Sequence, residues 1–325
     1  MNFKKILKGN KTALINSKKD FKSIFEIMFS LPDCILCEES DSGKIVKHTY
    51  GEAYDMILSA ASSLKCQLGS KGVFIALECE NSLNWLVGFW AILISGNKPY
   101  LVNTRYPANL TNSIIKSLNI EYSVCVGESK LFATPIDILS LKGDCPASLN
   151  SMADEIAFSS SATSMNEVVC FYSGVQVAEQ ILNFESIVRE CPQIVRHYKG
   201  QLKLLAFLPF YHIFGLFAVF FWFCFFGRTL VFLTDYSADT ILKTCRDHKV
   251  THIFAVPMLW HRLEQRIVAA IKEDGKEKSF WVIAKFFTFL QNLIPSFARV
   301  TKLAFGKINR RLFGQSVQFC ISGGS

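Results

Sequence analysis

The sequence predicts an α/β fold made of two doubly wound lobes, each built on a mainly parallel sheet. Two observations lead to this prediction. Helical patterns alternate with short apolar runs from residue 49 onward, and half of the 325 residues are hydrophobic while only 19% are charged. Strands buried on both faces of a parallel sheet have such apolar runs, and helical crossovers must join them. The length exceeds one ordinary domain, so we expect lobes at residues 49–200 and 201–325.

A βαβαβ pattern begins directly after residue 49. The segment from Tyr50 to Leu68 is amphipathic and stops at Gly69, which is typical of a helix with a glycine after its end. The alternation continues as strand Val73–Leu77, helix 81–94, strand Pro99–Val102, helix Ala108–Leu118 and strand Tyr122–Val126. Because helical crossovers join parallel strands, we expect these three strands to be neighbours in one sheet.

Residues 127–154 are predicted to form an irregular connection, after which the alternation resumes. The predicted elements are strand Val168–Tyr172, helix Val177–Tyr198, strand Leu204–Leu208, strand Thr229–Leu233, helix Ser237–His248, strand Thr251–Val256, a helix from Pro257 to Ala270, a helical region Lys278–Phe313 broken at Pro295, and strand Val317–Ile321. The later strands are expected to share the sheet of the second lobe.

One long stretch, Leu204 to Gly227, contains no Asp, Glu, Lys or Arg. It is long enough for the roughly 20 residues that a membrane-spanning helix requires. Pro209 and Gly215 interrupt it, however, and basic residues flank both of its ends. We therefore predict a strand, a turn and a helix at Ile213–Phe226 that is buried inside the second lobe. A membrane span and a peripheral lipid contact of Phe217–Phe226 are the alternatives.

The charge and the cysteines argue against several classes of protein. The net charge is +8, but the lysines and arginines are scattered, so no nucleic-acid partner is predicted. Eleven dispersed cysteines and a polar, basic N-terminus without an apolar leader segment favour the reducing cytoplasm. Cys34 and Cys37 have CxxC spacing but no second pair at zinc-site distance, so no metal site is predicted.

Three segments together carry a resemblance to one family. The first is Tyr50-Gly-Glu-Ala followed by residues 72–97, which include Asn81-Ser-Leu-Asn-Trp85 at a helix start. The second is Leu208-Pro-Phe-Tyr-His-Ile-Phe-Gly215, followed at a fixed distance by residues 250–257. The third is Phe319-Cys-Ile-Ser-Gly-Gly-Ser325. In this order and spacing, the segments resemble the adenylate-forming (AMP-binding) superfamily of acyl-CoA synthetases, luciferases and peptide-synthetase adenylation domains.

The resemblance implies the N-terminal domain of such an enzyme and the chemistry of that family. A carboxylate attacks the α-phosphate of ATP, pyrophosphate leaves, and a thiol such as CoA then displaces AMP from the acyl-adenylate. ATP or AMP, Mg²⁺ and CoA are therefore the implied cofactors, and a fatty acid or another carboxylic acid is the implied substrate. Catalysis consists of positioning and of neutralising phosphate charge. The helical insertion between Val268 and Gly314 resembles the long-chain fatty-acid–CoA ligases most.

The phosphate-binding loop of the family is altered in this chain. The family has a glycine-rich loop with a proline and a lysine, and the equivalent segment here is 158–168. Its hydroxyl positions, the candidates for nucleotide binding, fall on Ser160, Ser161, Thr163 and Ser164. Ala162 and Met165 replace the glycines, and Val168 or, after a shift of one residue, Glu167 replaces the lysine. The alternative is a serine-rich loop that binds no ligand.

Three further residues take site roles from the resemblance. His212 corresponds to the family's residue at the junction of acyl pocket and nucleotide, so it is the candidate catalytic residue. The alternative is a buried histidine that caps the following helix. Gly323 and Gly324 correspond to the turn that lines the adenine pocket, and a simple tight turn is the alternative. His212 is expected to lie within a few ångströms of that turn, at the mouth of an apolar pocket.

The resemblance also implies parts that would follow residue 325. These are a glutamate that holds Mg²⁺, an aspartate on the ribose hydroxyls, and a mobile C-terminal domain with the catalytic lysine. We therefore expect an incomplete chain with little activity of its own, whose C-terminal half is omitted or separately encoded. The first hypothesis is an acyl-CoA synthetase-like protein. The alternative is a degenerate, non-catalytic member that binds an acyl group or a protein.

Overall fold

The computed structural model describes residues 3–143, 147–160, 168–190, 201–273 and 313–323. Its contacts divide the chain into two compact units. Unit 1 comprises residues 1–202 and 206–232, and unit 2 comprises residues 203–205 and 233–325. The apolar stretch after residue 205 thus groups with unit 1. The sequence-based division into 49–200 and 201–325 stays a proposal about domain organisation.

Unit 1 contains most of the helices and strands. Its helices are α1 (Phe3–Ile15), α2 (Phe21–Met28), α3 (Tyr50–Leu68), α4 (Leu83–Ile94), α5 (Ala108–Ser117), α6 (Gly174–Glu190) and α7 (Trp222–Phe225), with a π-helical segment (Gly215–Phe221) directly before α7. Its strands are β1 (Ile35–Asp41), β2 (Lys44–Thr49), β3 (Phe74–Glu78), β4 (Lys98–Leu101), β5 (Tyr122–Cys125), β6 (Thr134–Asp137), β7 (Glu155–Ser159), β8 (Val169–Ser173) and β10 (Thr229–Val231).

Unit 2 alternates strands and helices after the short strand β9. Its elements are β9 (Lys203–Leu205), α8 (Ala238–Asp247), β11 (His252–Ala255), α9 (Pro257–Glu273) and β12 (Phe319–Ser322). Strand β11 pairs in parallel with β9 on one side and with β12 on the other. The predicted parallel pairing of the last two strands is therefore confirmed. The predicted helical region at 278–313 lies outside the described residues, apart from its last residue.

A six-stranded sheet in unit 1 has the strand order β6-β5-β3-β4-β7-β8. All its pairs are parallel except β7 with β8, which are antiparallel. The three strands expected as neighbours are β4, β3 and β5, and they lie side by side in that order. The α/β fold class with mainly parallel strands is confirmed.

Several elements were not predicted from the sequence, and each has a local reason. Strands β1 and β2 form a hairpin whose turn residues, Ser42 and Gly43, have φ values of 49° and 81°. Residues 127–154 are not wholly irregular, because β6 lies within them. Its Pro135 argues against a strand, yet β6 is at the edge of the sheet, where proline is tolerated.

The helices of the first motif begin at well-formed caps. The Thr49 hydroxyl accepts a hydrogen bond from the Glu52 N–H at 3.0 Å, and the Glu52 carboxylate accepts one from the Thr49 N–H at 2.7 Å. This capping box fixes the start of α3. The Ser82 hydroxyl likewise accepts from the Trp85 N–H at 3.2 Å, which fixes the start of α4.

The phenylalanine-rich stretch is buried in unit 1. Every residue from 215 to 226 is buried, and Trp222, at 5%, is the most exposed of the hydrophobic side chains among them. The predicted helix at Ile213–Phe226 is therefore buried apart from its first two residues, of which Ile213 is 48% exposed. The helix differs from the prediction in being part of unit 1 and in having a π-helical first half. Within the described residues, no helix combines the length and apolar character of a membrane span.

A buried tyrosine fixes the end of this stretch. The Tyr50 hydroxyl lies 2.9 Å from the Cys224 carbonyl oxygen and 2.8 Å from that of Arg228, so its hydrogen can be donated to either. Tyr50 is fully buried. The first residue of α3 thereby holds both sides of the turn at Gly227.

Replacement of Tyr50 by phenylalanine should lower the free energy of unfolding by about 1–3 kcal/mol, because buried carbonyl groups lose a donor. Urea unfolding measures this change. Tyr54→Phe is the matched control, since the Tyr54 hydroxyl has no hydrogen-bond partner among the described residues, and it should change stability little. Equal losses in the two variants would contradict the proposed role of the Tyr50 hydroxyl.

Candidate active site

The site is organised by the side chain of Asn81, three residues after the end of β3. Its Nδ2 donates to the carbonyl oxygens of Ala206 at 3.0 Å and Leu208 at 2.8 Å. Its Oδ1 accepts from the Phe210 N–H at 2.9 Å. One amide thus satisfies three backbone groups of the segment that leads to His212. The first and second motifs of the sequence are joined directly by these bonds.

An aromatic contact supports the same junction. The Trp85 ring lies 4.9 Å from the Phe210 ring, centroid to centroid, in an edge-to-face arrangement. Both rings are fully buried. Such pairs contribute about 0.5–1.5 kcal/mol beyond the area that they bury. The tryptophan of the first motif and the phenylalanine of the second therefore belong to one core.

The turn that carries His212 requires the glycine at its end. The His212 N–H donates to the Pro209 carbonyl oxygen at 3.1 Å, and the Leu216 N–H donates to the His212 carbonyl oxygen at 2.8 Å. A Cβ added at Gly215 would overlap the Pro209 carbonyl group. The close backbone approach explains why the motif ends in a glycine.

The site lies at the carboxyl end of the six-stranded sheet. Asn81 follows β3, and Arg105 follows β4, which pairs with β3 in parallel. Open α/β sheets bind ligands in the crevice outside the carboxyl ends of their strands. The loops after β3 and β4 are joined in this crevice by Thr104, whose hydroxyl donates to the Glu80 carboxylate at 2.5 Å.

His212 is half-buried and is favoured in its neutral form. Burial first, and the positive charge of Arg105 second, lower the pKa of the imidazole below its ordinary value of 6.5. Arg105 follows β4 in the same crevice, where the Asn103 side chain accepts its N–H at 3.1 Å. A neutral imidazole can donate one hydrogen bond and accept another. His212 can therefore donate a hydrogen bond to a carboxylate without carrying a positive charge at neutral pH.

The structure describes only part of the predicted nucleotide loop. Ser160 closes its base, because the Ser160 N–H donates to the Val168 carbonyl oxygen at 2.9 Å. The adjacent Ser159 hydroxyl lies 2.8 Å from that of Tyr100. The other hydroxyl candidates, Ser161, Thr163 and Ser164, lie outside the described residues, so their assignment to nucleotide binding stays a prediction.

The predicted adenine turn lies in unit 2. The Gly323 N–H donates to the Ala255 carbonyl oxygen at 3.1 Å, which places the turn at the carboxyl ends of β11 and β12. Gly324 lies outside the described residues. The expected proximity of His212 and Gly323 concerns residues of different units, and it stays a prediction. Among the described residues, no group of three or more His, Cys, Asp or Glu side chains could hold a metal ion.

Comparison with known proteins supports the resemblance. The model of the family described as AMP-binding enzyme matches residues 174–325. No curated protein sequence matches the chain. Together with the fold, the family match confirms the predicted resemblance to the adenylate-forming superfamily.

Solved structures share the fold at low sequence identity. O-succinylbenzoate coenzyme A synthetase (MenE) from Bacillus subtilis, in complex with AMP, has a TM-score of 0.60 and 18% identity over 75% of this chain and 63% of its own. The N-terminal domain of FACL13 from Mycobacterium tuberculosis has a TM-score of 0.62 and 17% identity over 76% of this chain and 65% of its own.

A third structure, the nonribosomal peptide synthetase FmoA3, has a TM-score of 0.57 and 16% identity over 75% of this chain. This chain covers only 26% of the length of that protein. Across the three structures, it therefore spans between about a quarter and about two thirds of each matched chain. The fold is that of the N-terminal domain of adenylate-forming enzymes.

Two residues of the site were missed by sequence reasoning. The sequence assigned Asn81 only to the start of a helix, and Arg105 was not considered. Their positions a few residues after predicted strands were the available signal, since side chains at the carboxyl ends of parallel strands converge. The hydrogen bonds of Asn81 to a segment about 125 residues away were not readable from local pattern.

The lowered pKa of His212 predicts a pH dependence of stability. As the pH falls, the His212 imidazole of the unfolded chain takes up a proton near pH 6.5, whereas that of the folded chain does so only at a lower pH. Protonation of His212 therefore lowers the free energy of unfolding as the pH falls below 6.5. His212→Gln should remove the effect, measured as the difference in urea midpoint between the two proteins at pH 7.5 and pH 5.5.

An NMR titration of the imidazole checks the electrostatic cause. Arg105→Gln should raise the His212 pKa part of the way towards 6.5, because one repelling charge is removed. Lys44→Gln, on the hairpin of β1 and β2, is the control and should leave it unchanged. An unshifted His212 pKa in the Arg105 variant would contradict the assignment.

Proposed function

We propose that the chain forms part of an acyl-CoA synthetase-like enzyme, which activates a fatty acid or another carboxylic acid with ATP through an acyl-adenylate. The observation that carries the proposal is the Asn81 junction, which holds the His212 turn at the carboxyl end of the sheet. The family match at 174–325 and the shared fold support it.

In this proposal, His212 contacts the carboxylate of the substrate. Its imidazole is neutral at pH 7, so it can donate one hydrogen bond to a carboxylate oxygen while its other nitrogen accepts one. The positive charge of Arg105 in the same crevice favours an anionic ligand. ATP, Mg²⁺ and CoA are the cofactors of the proposed reaction, and we place the protein in the cytoplasm.

The predicted phosphate loop argues that the chain is impaired in this reaction. The segment 160–168 keeps four hydroxyl side chains but lacks a lysine and a glycine. Loss of one preorganised electrostatic donor typically lowers the rate of a reaction by roughly 10²–10³. The resemblance places the Mg²⁺ ligand and the catalytic lysine of the family outside the segment that residues 1–325 correspond to.

A second candidate function rests on the same loop. Without a cation to neutralise phosphate charge, the chain would be a degenerate, non-catalytic member that binds an acyl group or a protein partner. The two candidates differ in nucleotide binding. Val168→Lys restores a cation at the base of the loop, so it should strengthen ATP binding if the loop retains its phosphate-binding shape, and it should have no effect otherwise.

We predict that residues 1–325 alone catalyse no measurable ATP–pyrophosphate exchange with fatty acids of varied length and Mg²⁺. Several missing charge-stabilising groups should each lower the rate, and their effects combine. The control is His212→Ala, which should give the same background. Exchange by the unaltered chain clearly above that control would show that the serine and threonine hydroxyls suffice for catalysis.

A further inference from the structure

A groove of about 720 Å³ lies on unit 1 between α5 and the loop that precedes β6. Ile115 and Ile120, at 2% and 5% exposure, are its buried apolar lining residues. Its volume falls within the range of roughly 300–1,000 Å³ that small-molecule sites occupy. None of the three motifs that carry the family resemblance contributes to it.

A phenylalanine on this groove is exposed on a loop that is held in place. Phe132 has 86% of its surface accessible to solvent. Its N–H donates to the Asn112 Oδ1 at 2.7 Å. Nearby, the Ser129 hydroxyl donates to the Glu78 carboxylate at 2.6 Å and accepts from the Leu131 N–H at 3.1 Å. The ring is thus presented to solvent at the groove by a loop that hydrogen bonds hold in place.

An amide donor lines the same groove. Asn112 lines the groove and is 7% exposed. Its Oδ1 is occupied by the Phe132 N–H, whereas its Nδ2 has no hydrogen-bond partner within the described part of the chain. This nitrogen is not fully buried, so water can accept its hydrogen bonds. An acceptor atom of a ligand in the groove can take the place of that water.

The charge of the lining favours an anion. Lys116 on α5 and Lys130 on the opposite loop are both exposed, and Glu121 is the single acidic residue among the lining side chains. The remaining polar lining residues are uncharged, and they can all donate hydrogen bonds: Asn109, Ser113 and Asn119. Two positive charges therefore face one negative charge in the lining.

We propose that this groove binds a small planar anion. Its ring lies on Phe132, an acceptor atom meets the Asn112 amide, and its acidic group lies between Lys116 and Lys130. Nucleoside monophosphates and aromatic carboxylates share this chemistry. The inference is independent of the proposed acid-activating function, because it uses neither His212 nor the serine-containing loop.

The test is an NMR titration of the whole chain with AMP and with salicylate, followed at the Asn112 side-chain amide and the backbone amides of the groove. A saturable shift with one of them is expected and identifies the source of the anion. Adenosine lacks the phosphate group and ribose 5-phosphate lacks the aromatic base, so both should bind more weakly than AMP. Absence of a saturable shift at the groove with both AMP and salicylate at millimolar concentration would overturn the proposal.

Substitutions localise the binding. Phe132→Ala should weaken it by at least about fivefold, because a stacked ring contributes that much or more, and the double variant Lys116→Gln with Lys130→Gln should weaken it further. These side chains are exposed, so the variants should remain folded. The controls are Phe171→Ala, at a 45% exposed position on β8, and Lys44→Gln with Lys47→Gln. Equal affinities in Phe132→Ala and Phe171→Ala would show that the ligand does not use this groove.

Discussion

The amide of Asn81 is the interaction on which the candidate site depends. The segment after β9 leaves its strand within a few residues, so its backbone groups at Ala206, Leu208 and Phe210 need partners outside a sheet. The three hydrogen bonds of Asn81 supply them. The edge-to-face contact of Trp85 with Phe210 and the close backbone approach at Gly215 then fix the turn. These contacts determine the position of His212, which lies on the turn.

The same arrangement explains the electrostatics of the site. The loops after β3 and β4 meet at the carboxyl end of the sheet, and the Thr104–Glu80 hydrogen bond joins them. Arg105 comes from the second loop and His212 is bound to the first through Asn81. Burial and the nearby positive charge both favour the neutral imidazole. A site with a neutral histidine and an arginine suits an anionic substrate. The proposed acid-activating function requires such a substrate, because a carboxylic acid is a carboxylate anion at neutral pH.

Local pattern predicted the alternating helices and strands but not the contacts between distant segments. Periodicity and caps were sufficient for α3, α4 and the parallel strands β3, β4 and β5, because their burial is continuous and their ends carry Thr49, Ser82 and Gly69. Strand β6 was missed because its proline is tolerated only by its edge position. The π-helical start of the phenylalanine-rich helix was missed as well, since apolar periodicity in a wholly buried stretch does not distinguish it from an α-helix. The role of Asn81 depends on residues about 125 positions away.

The central claim is that Asn81 holds the His212 turn at the carboxyl end of β3. The most direct measurement is the NMR titration of the His212 imidazole in Asn81→Ala, with Asn16→Ala, on the exposed end of the α1 segment, as control. The account predicts that the His212 pKa moves towards 6.5 in the first variant, because the turn loses its burial and its distance from Arg105 changes, and that it stays low in the control. An unchanged pKa in a folded Asn81→Ala protein would contradict the claim.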